Sequence, residues 1–304
     1  MALFHLDEAA AALGRSGSVT PSVVGADNPL ALLSEAQDIC RPQGKVFDEP
    51  IRTLHHLSCT GGTVIAKCIA SMANVLLLNE IDYSSTISRK RKGPLFTPTD
   101  LISLLHQSEA GDEPGLIEQI FIADISLLHA EQSKKGGALV LRDHSHSHFL
   151  VDDVSPERPT LLELTRGHCP VRPIVTVRDP VDSFASMVLH GWHRHFTPST
   201  FDEYCRRQLL FLDRHADAPI VKYEDFVDKP TVVMKKVCKL LALDFYAGFM
   251  DVFDSFHFSG DSGRGGSVIE RRERRKFDPS YETEIANSEY YAALCERLGY
   301  ERYE

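Results

Sequence analysis

Four short stretches of this chain carry residues whose types and spacing suit work on an anion. The first is SCTGGT, residues 58–63, with apolar residues before it and a helix-like run, TVIAKCIASMA, beginning at its end. Consecutive backbone N–H groups in a glycine turn form an anion nest, and a helix start adds its dipole. Thr60 and Thr63 add hydroxyl donors. The nucleoside triphosphate loop G-x-x-x-x-G-K-[ST] relies on a lysine that reaches the terminal phosphates. Here Gly62 is followed by Thr63 instead. The bland alternative is an ordinary glycine turn between a strand and a helix.

The second stretch is VRDPVDSFAS, residues 177–186. Arg178 ends an apolar run, Asp179-Pro180 breaks it, and Ser183 and Ser186 stand three apart on one face of the helix that follows. Arg178 can fork onto a phosphate to which Ser186 also donates. The competing arrangement pairs Arg178 with Asp179 or Asp182, with Asp182 or Ser183 capping the helix and Ser186 in water. The third stretch is LVLRDHSHSH. If its strand continues to the end, His144, His146 and His148 share one face. They read either as zinc ligands with Asp152 and Asp153 nearby, or as one general base with hydrogen-bonding neighbours. The fourth is FSGDSGRGG, followed shortly by RRERRK. Its GDSG string occurs around serine-protease nucleophiles, but that chemistry sits on an all-β frame and this chain is rich in helical pattern. The segment reads as a basic flap over an anionic ligand, or as a solvated loop before a charged helix.

The elements that must hold these residues alternate. TLHHLS, VLLLNEI, GALVLRDH, PIVTVRD and PIVKYED are runs of strand length. DLISLLHQSE, GLIEQIFIADISLLHAEQSKK, SFASMVLHGW, FDEYCRRQLLFLDRHA and PTVVMKKVCKLLAL carry apolar residues at helical spacing. Short strands alternating with helices imply a single α/β domain with a mainly parallel central sheet flanked by helices. Ligands of such sheets sit beyond the carboxyl ends of the strands, and Ser58–Thr63, Arg142–His148, Arg178–Ser186 and Tyr223–Asp225 fall there. Residues 1–50 read as an N-terminal extension on a domain spanning 51–304, because they hold too few large apolar residues for a core of their own.

Composition bounds the partners. The 304 residues carry a formal charge of -10, which argues against nucleic acid as a general partner. Seven scattered cysteines without C-x-x-C pairs suit a reducing compartment. The N-terminus makes a poor signal peptide, and no apolar run has the length of a membrane span. The expectation is a cytoplasmic protein; oligomeric state is not legible.

Taken together, the motifs resemble the sulfotransferases that use 3'-phosphoadenosine 5'-phosphosulfate (PAPS), over roughly residues 52–300. The resemblance implies a P-loop NTPase-like sulfotransferase fold. It implies that Cys59, Thr60, Gly61, Gly62, Thr63 and Val64 cradle the 5'-phosphosulfate, that Arg178 and Ser186 bind the 3'-phosphate, and that Tyr223 of the Y-E-D at 223–225 lies by the adenine. In Arg142-Asp143-His144 it implies that His144 is the catalytic base. The family's loop often carries a lysine where Cys59 stands, so Arg142 or Lys67 is left to supply that charge. The family's R-K-G tripeptide occurs here as Arg91-Lys92-Gly93, out of order; Arg264 and Arg271 are the flap candidates by position. The implied reaction moves a sulfuryl group from PAPS to a hydroxyl acceptor, carbohydrate or another small or lipid-linked molecule, with no metal required. Acceptor contacts are expected from residues 80–130, the histidines near 190–195 and the N-terminal extension. Three alternatives stand beside it: a P-loop small-molecule kinase, a zinc hydrolase using the 144–148 histidines, and a non-catalytic binding module on the same fold.

Overall fold

The computed structural model describes residues 49–85, 96–108, 115–152, 157–260, 268–271, 274 and 279–303. The expected N-terminal extension, apart from Glu49 and Pro50, lies outside the described residues, as do Arg91-Lys92-Gly93, Asp153 and Arg264. Five strands form one sheet: β1 (Ile51–His56), β2 (Val75–Ile81), β3 (Ala138–Asp143), β4 (Val171–Val177) and β5 (Ile220–Lys222). Every pairing is parallel, and the order across the sheet is β2-β3-β1-β4-β5. The alternating pattern therefore gives the α/β architecture expected of it. β1 lies at the centre, and the chain builds outward from it in both directions. This is the switch in strand order at which open α/β sheets bind ligands.

Helices cover both faces. On one face, α1 (Gly62–Ala70) and the helix Pro230–Leu241 bury Leu54, Val140, Ile174 and Val221 of the sheet with Ile65, Ile69, Val237 and Leu241. On the other, Leu116–Lys134 packs Ile117, Phe121 and Ile125 against Leu139 and Leu141. The helices Pro180–Leu189, Phe201–Arg214 and Glu289–Leu298 close the rest of that face around Val175 and Val177. No described helix is long and apolar enough to cross a membrane.

β1 departs from the usual apolar central strand. All six residues of IRTLHH are buried, and four of them are polar. A buried polar group is tolerated only where it is hydrogen-bonded. Arg52 meets this demand at the amino end of the strand. It donates to the carbonyls of Leu241 at 3.0 Å, Pro50 at 2.8 Å and Ala242 at 3.2 Å, and it pairs with Glu49. Leu241 ends its helix and Ala242 takes a left-handed conformation with φ 49°. A cation here satisfies orphan carbonyls at the negative end of the helix dipole. Arg52→Met removes these donors and strands the carbonyls. Urea unfolding is expected to show stability lower by about 2–3 kcal/mol, with an unchanged denaturant slope.

Candidate active site

The loop after β1 is set by two glycines. Cys59 and Gly61 take left-handed conformations (φ 66° and 84°) on either side of Thr60. A Cβ on Gly61 would lie 2.1 Å from the Tyr223 ring, and one on Gly62 would lie 2.2 Å from the His56 ring. The chain is thus threaded between two aromatic side chains, and only glycine fits at either point. Gly61 is also the N-cap of α1, which has no side-chain cap and no acidic residue in its first turn. The first-turn amides of Gly62, Thr63 and Val64 are therefore left without a side-chain acceptor, the condition that suits an anion. Thr60 differs from expectation. Its hydroxyl donates to Leu57 O at 2.8 Å and the residue is buried, so it closes the loop and leaves only its amide for a ligand.

On one side of the loop stand Arg178, Ser186 and Tyr223. Arg178 reaches Cys59 O at 3.4 Å and Ser186 Oγ at 3.5 Å, and its guanidinium lies 5.2 Å from the Tyr223 ring centroid. Both hydrogen bonds are at the long limit, so an anion oxygen would compete well for the same donors. The acids beside Arg178 are occupied elsewhere. Asp179 caps the helix Pro180–Leu189 through the amides of Val181 and Asp182, and Arg274 binds Asp179 at 2.9 Å and Asp182 at 2.8 Å. The alternative pairing of Arg178 with those acids is not what forms. Ser183 and Ser186 do not share a task either: the Ser183 hydroxyl is buried against Tyr204 OH at 2.8 Å. Tyr223 opens a short helix, Tyr223–Asp228, directly after β5. The next residue, Glu224, accepts from Asp179 N at 2.9 Å and from Tyr300 OH at 2.8 Å, tying the ends of β4 and β5 together.

On the other side stands Arg142, 1% exposed at the end of β3. It donates to His56 Nε2 at 2.9 Å, Thr63 Oγ1 at 2.8 Å, Ser259 O at 3.1 Å and Asn79 Oδ1, and it lies 3.5 Å from Glu80. Burial and the neighbouring Arg142 push His56 down to about 3, so its Nε2 lone pair is free to accept. His56 Nδ1 then donates to Leu57 O at 3.0 Å. Arg142 reaches the start of α1 through its bond to Thr63. Lys67 lies in the last turn of α1 and is buried there.

The histidines deviate from the strand pattern. β3 stops at Asp143, and His146 opens a short helix, His146–Phe149. The expected shared strand face of His144, His146 and His148 does not exist, because Asp143 and Ser145 close a turn there at 2.6 Å. Instead the His144 and His146 rings meet edge to face at 3.8 Å, while His148 packs on Phe149. Burial lowers His144 against the opposing pull of Glu80 and Asp82, and burial with the nearby His144 lowers His146. Both imidazoles are neutral near pH 7.

Glu80 was not singled out by the motifs. It sits where the β2–β3 register shifts, in a left-handed conformation with φ 52°. Such strain in a non-glycine residue persists where the surroundings enforce it. The carboxylate lies beside Arg142 and within 4.8 Å of ligand atoms on His144 and His146. A stop in strand alternation at Asn79-Glu80 was the only signal available in the sequence. Ser259 and Gly260, which lead into the expected flap, cross this corner: Thr63 donates to Gly260 O at 3.3 Å and Asn79 to Ser259 Oγ at 2.7 Å. Arg271 is 71% exposed and lies 3.8 Å from Asp228. Arg274, from the RRERRK stretch, is the basic residue found beside the Arg178 corner.

No protein-family model and no curated protein matches the chain. Solved structures do align with it. The sulfotransferase domain of the Synechococcus PCC 7002 olefin synthase is 17% identical, covering 86% of this chain and 98% of its own, with a TM-score of 0.48. The sulfotransferase domain from the curacin biosynthetic pathway is 16% identical over 83% of this chain and 98% of its own, at 0.44. Mouse sulfotransferase SULT7A1, complexed with PAP, is 14% identical over 88% and 94%, at 0.39. These three solved structures are sulfotransferases. At these identities and scores, what the site does rests on the chain's own residues. Gly61→Ala drives a methyl into the Tyr223 ring and forces an alanine into the left-handed region. Urea unfolding is expected to show stability lower by about 1–3 kcal/mol.

Proposed function

We propose that the chain is a PAPS-dependent sulfotransferase, moving a sulfuryl group to a hydroxyl of a carbohydrate or another small or lipid-linked acceptor in the cytoplasm. On this reading residues 51–304 are the catalytic domain and residues 1–50 an N-terminal extension. One observation carries it: a single uncapped glycine loop has Arg178, Ser186 and Tyr223 on one side and Arg142 with His144 beyond it on the other. The first group suits the nucleotide end of the donor, and the second suits the reacting end. The cradle fits, since Gly61 lets the Tyr223 ring close on the loop and the first-turn amides of α1 are uncapped.

The donor supplies an activated sulfuryl group on a phosphate leaving group. The chain's residues do the rest. First-turn amides of α1 hold the 5' side, and Thr63 with Arg142 stabilises charge that develops on the leaving phosphate. His144 accepts the acceptor hydroxyl's proton as the oxygen attacks sulfur in line with the departing oxygen. General-base help of this kind is worth about 10²–10⁴-fold. The Glu80 carboxylate, close to His144, offers a second reading of the base, favoured by its enforced backbone conformation. The kinase and zinc-hydrolase readings lack a comparable fit: the loop has no G-K-[ST] lysine, and the histidine stretch does not form the strand face assumed for it.

Titration of the protein with 3'-phosphoadenosine 5'-phosphate (PAP) and with ATP tests the donor class; tight binding of the first and weak binding of the second is expected. Arg178→Ala removes a charge-assisted bond of about 1.5–3 kcal/mol, so the PAP dissociation constant rises by about one to two decades. An unchanged affinity in that variant refutes the anchor assignment. His144→Ala keeps PAP affinity and loses transfer. The sign of the pH effect follows from His144 lying below its ordinary value of about 6.5. Only the neutral imidazole accepts a proton, so kcat/KM is lost as pH falls through that lowered pKa and is level above it. A profile that instead rises through pH 8 and beyond assigns the base to another group.

A further inference from the structure

On the sheet face opposite α1, behind the β3 end, three metal-ligating side chains converge where the proposed reaction uses none of them. His55, Asp143 and His215 are 0%, 7% and 2% exposed, and their donor atoms all lie within 4.8 Å of one another. His55 Nδ1 meets Asp143 Oδ2 at 2.8 Å, and the His55 and His215 rings are 4.5 Å apart. The outward nitrogen of each imidazole is already engaged, and the Asp143 oxygen that meets His55 has a second donor. His55 Nε2 faces Thr53 Oγ1 at 2.8 Å, Ser145 donates to Asp143 at 2.6 Å, and His215 Nδ1 faces Phe211 O at 2.7 Å. A carbonyl only accepts, so His215 carries its proton on Nδ1. Its Nε2 is then a bare lone pair, buried and without a hydrogen-bond partner. A buried polar atom left unmet is destabilising. Phe149 and Phe211 pack on the His215 ring.

We propose that His55 Nδ1, Asp143 Oδ2 and His215 Nε2 bind a structural zinc ion. The arrangement has the features such sites need. Two imidazoles and one carboxylate suit zinc, whereas magnesium and calcium take mainly oxygen ligands. Each imidazole has a partner on its other side that fixes its orientation, since Thr53 and the Phe211 carbonyl receive the N–H groups, and Ser145 donates to the same Asp143 oxygen that would bind the ion. With the ion bound, His55 takes the tautomer with its proton on Nε2, donated to Thr53. A tetrahedral site with bonds of about 2.0–2.1 Å sets its donors about 3.4 Å apart. The His55–Asp143 contact therefore opens by a few tenths of an ångström as the ion replaces the hydrogen bond. A water completes the fourth position. The ion would join β1, β3 and the carboxyl end of the helix Phe201–Arg214, whose C-cap is His215. Asp143 lies between Arg142 and His144, so the same ion would hold both in place. The site is closed, and loading accompanies folding.

The full chain is purified with zinc in the growth medium, then unfolded and refolded with chelator, Zn²⁺ or Co²⁺. Elemental analysis is expected to give stoichiometric zinc in the purified wild type. Its thermal midpoint is expected to be higher after refolding with Zn²⁺ than with chelator, and Co²⁺ to give visible d–d bands. His215→Phe, which fills the space with an apolar ring, is expected to lose zinc, the shift and the bands. The double variant His144→Ala/His146→Ala is expected to keep them. Background zinc in wild type, with neither shift nor bands, overturns the site. Zinc retained by His215→Phe but lost from the double variant also overturns it, by moving the ion to the Glu80, His144 and His146 group. Should His215→Phe fail to fold, the wild-type cobalt spectrum and the double variant decide.

Discussion

The saturation of one buried guanidinium organises the reactive corner of this protein. Arg142 has 1% of its surface exposed, and a buried cation without acceptors costs several kcal/mol. Its donors reach four different parts of the chain. The Nε–H goes to His56 on β1, one terminal nitrogen to Asn79 on β2 and Ser259 before the flap, the other to Thr63 on α1 and towards Glu80. Satisfying that charge therefore fixes how the glycine loop, the bulged end of β2 and Ser259 meet. It also explains why β1 places a histidine where a central strand would ordinarily carry an apolar residue. His56 must accept from Arg142, and its neutral state follows from burial beside that same cation.

The two glycines express a second constraint, which is close approach. Gly61 makes room for Tyr223 and Gly62 for His56. One contact ties the loop to the end of β5, and the other ties it to the Arg142 network. Loop position is thus set from both sides before any ligand arrives. Preorganised donors of this kind stabilise developing charge without reorganising at the moment of reaction.

Much of this was legible in the sequence, because alternation and strand-end position are local signals. The parallel α/β fold, the loop at 58–63 and the Arg178–Ser186 spacing follow from short-range pattern, and the folded chain places each at a strand end. What the pattern missed was long-range or conformational. Thr60 looked like a hydroxyl donor and Ser183 like a helix cap, yet their hydroxyls turn inward to Leu57 and Tyr204 while Asp179 caps the helix. Alternation carried the histidines onto a strand face, because nothing local reveals that Asp143 ends the strand by binding Ser145 and His55. Glu80 carries no motif, and Arg274 finds acids 92 and 95 positions away in sequence.

The residue at the family's lysine position also takes on a clearer meaning. Cys59 adopts a left-handed conformation, and its carbonyl faces Arg178. A lysine there would bring a mobile ammonium on a long stem. Arg142 brings charge to the same loop from the sheet, held by a bond to Thr63 and braced by His56. A planar guanidinium with most of its donors fixed loses less rotamer freedom in reaching a phosphate oxygen than a lysine does. Such a cation acts mainly through its field and through the polarised Thr63 hydroxyl. On the proposed reading, that suits a single leaving phosphate, whose charge is smaller than that of a triphosphate and which a loop of amides can share.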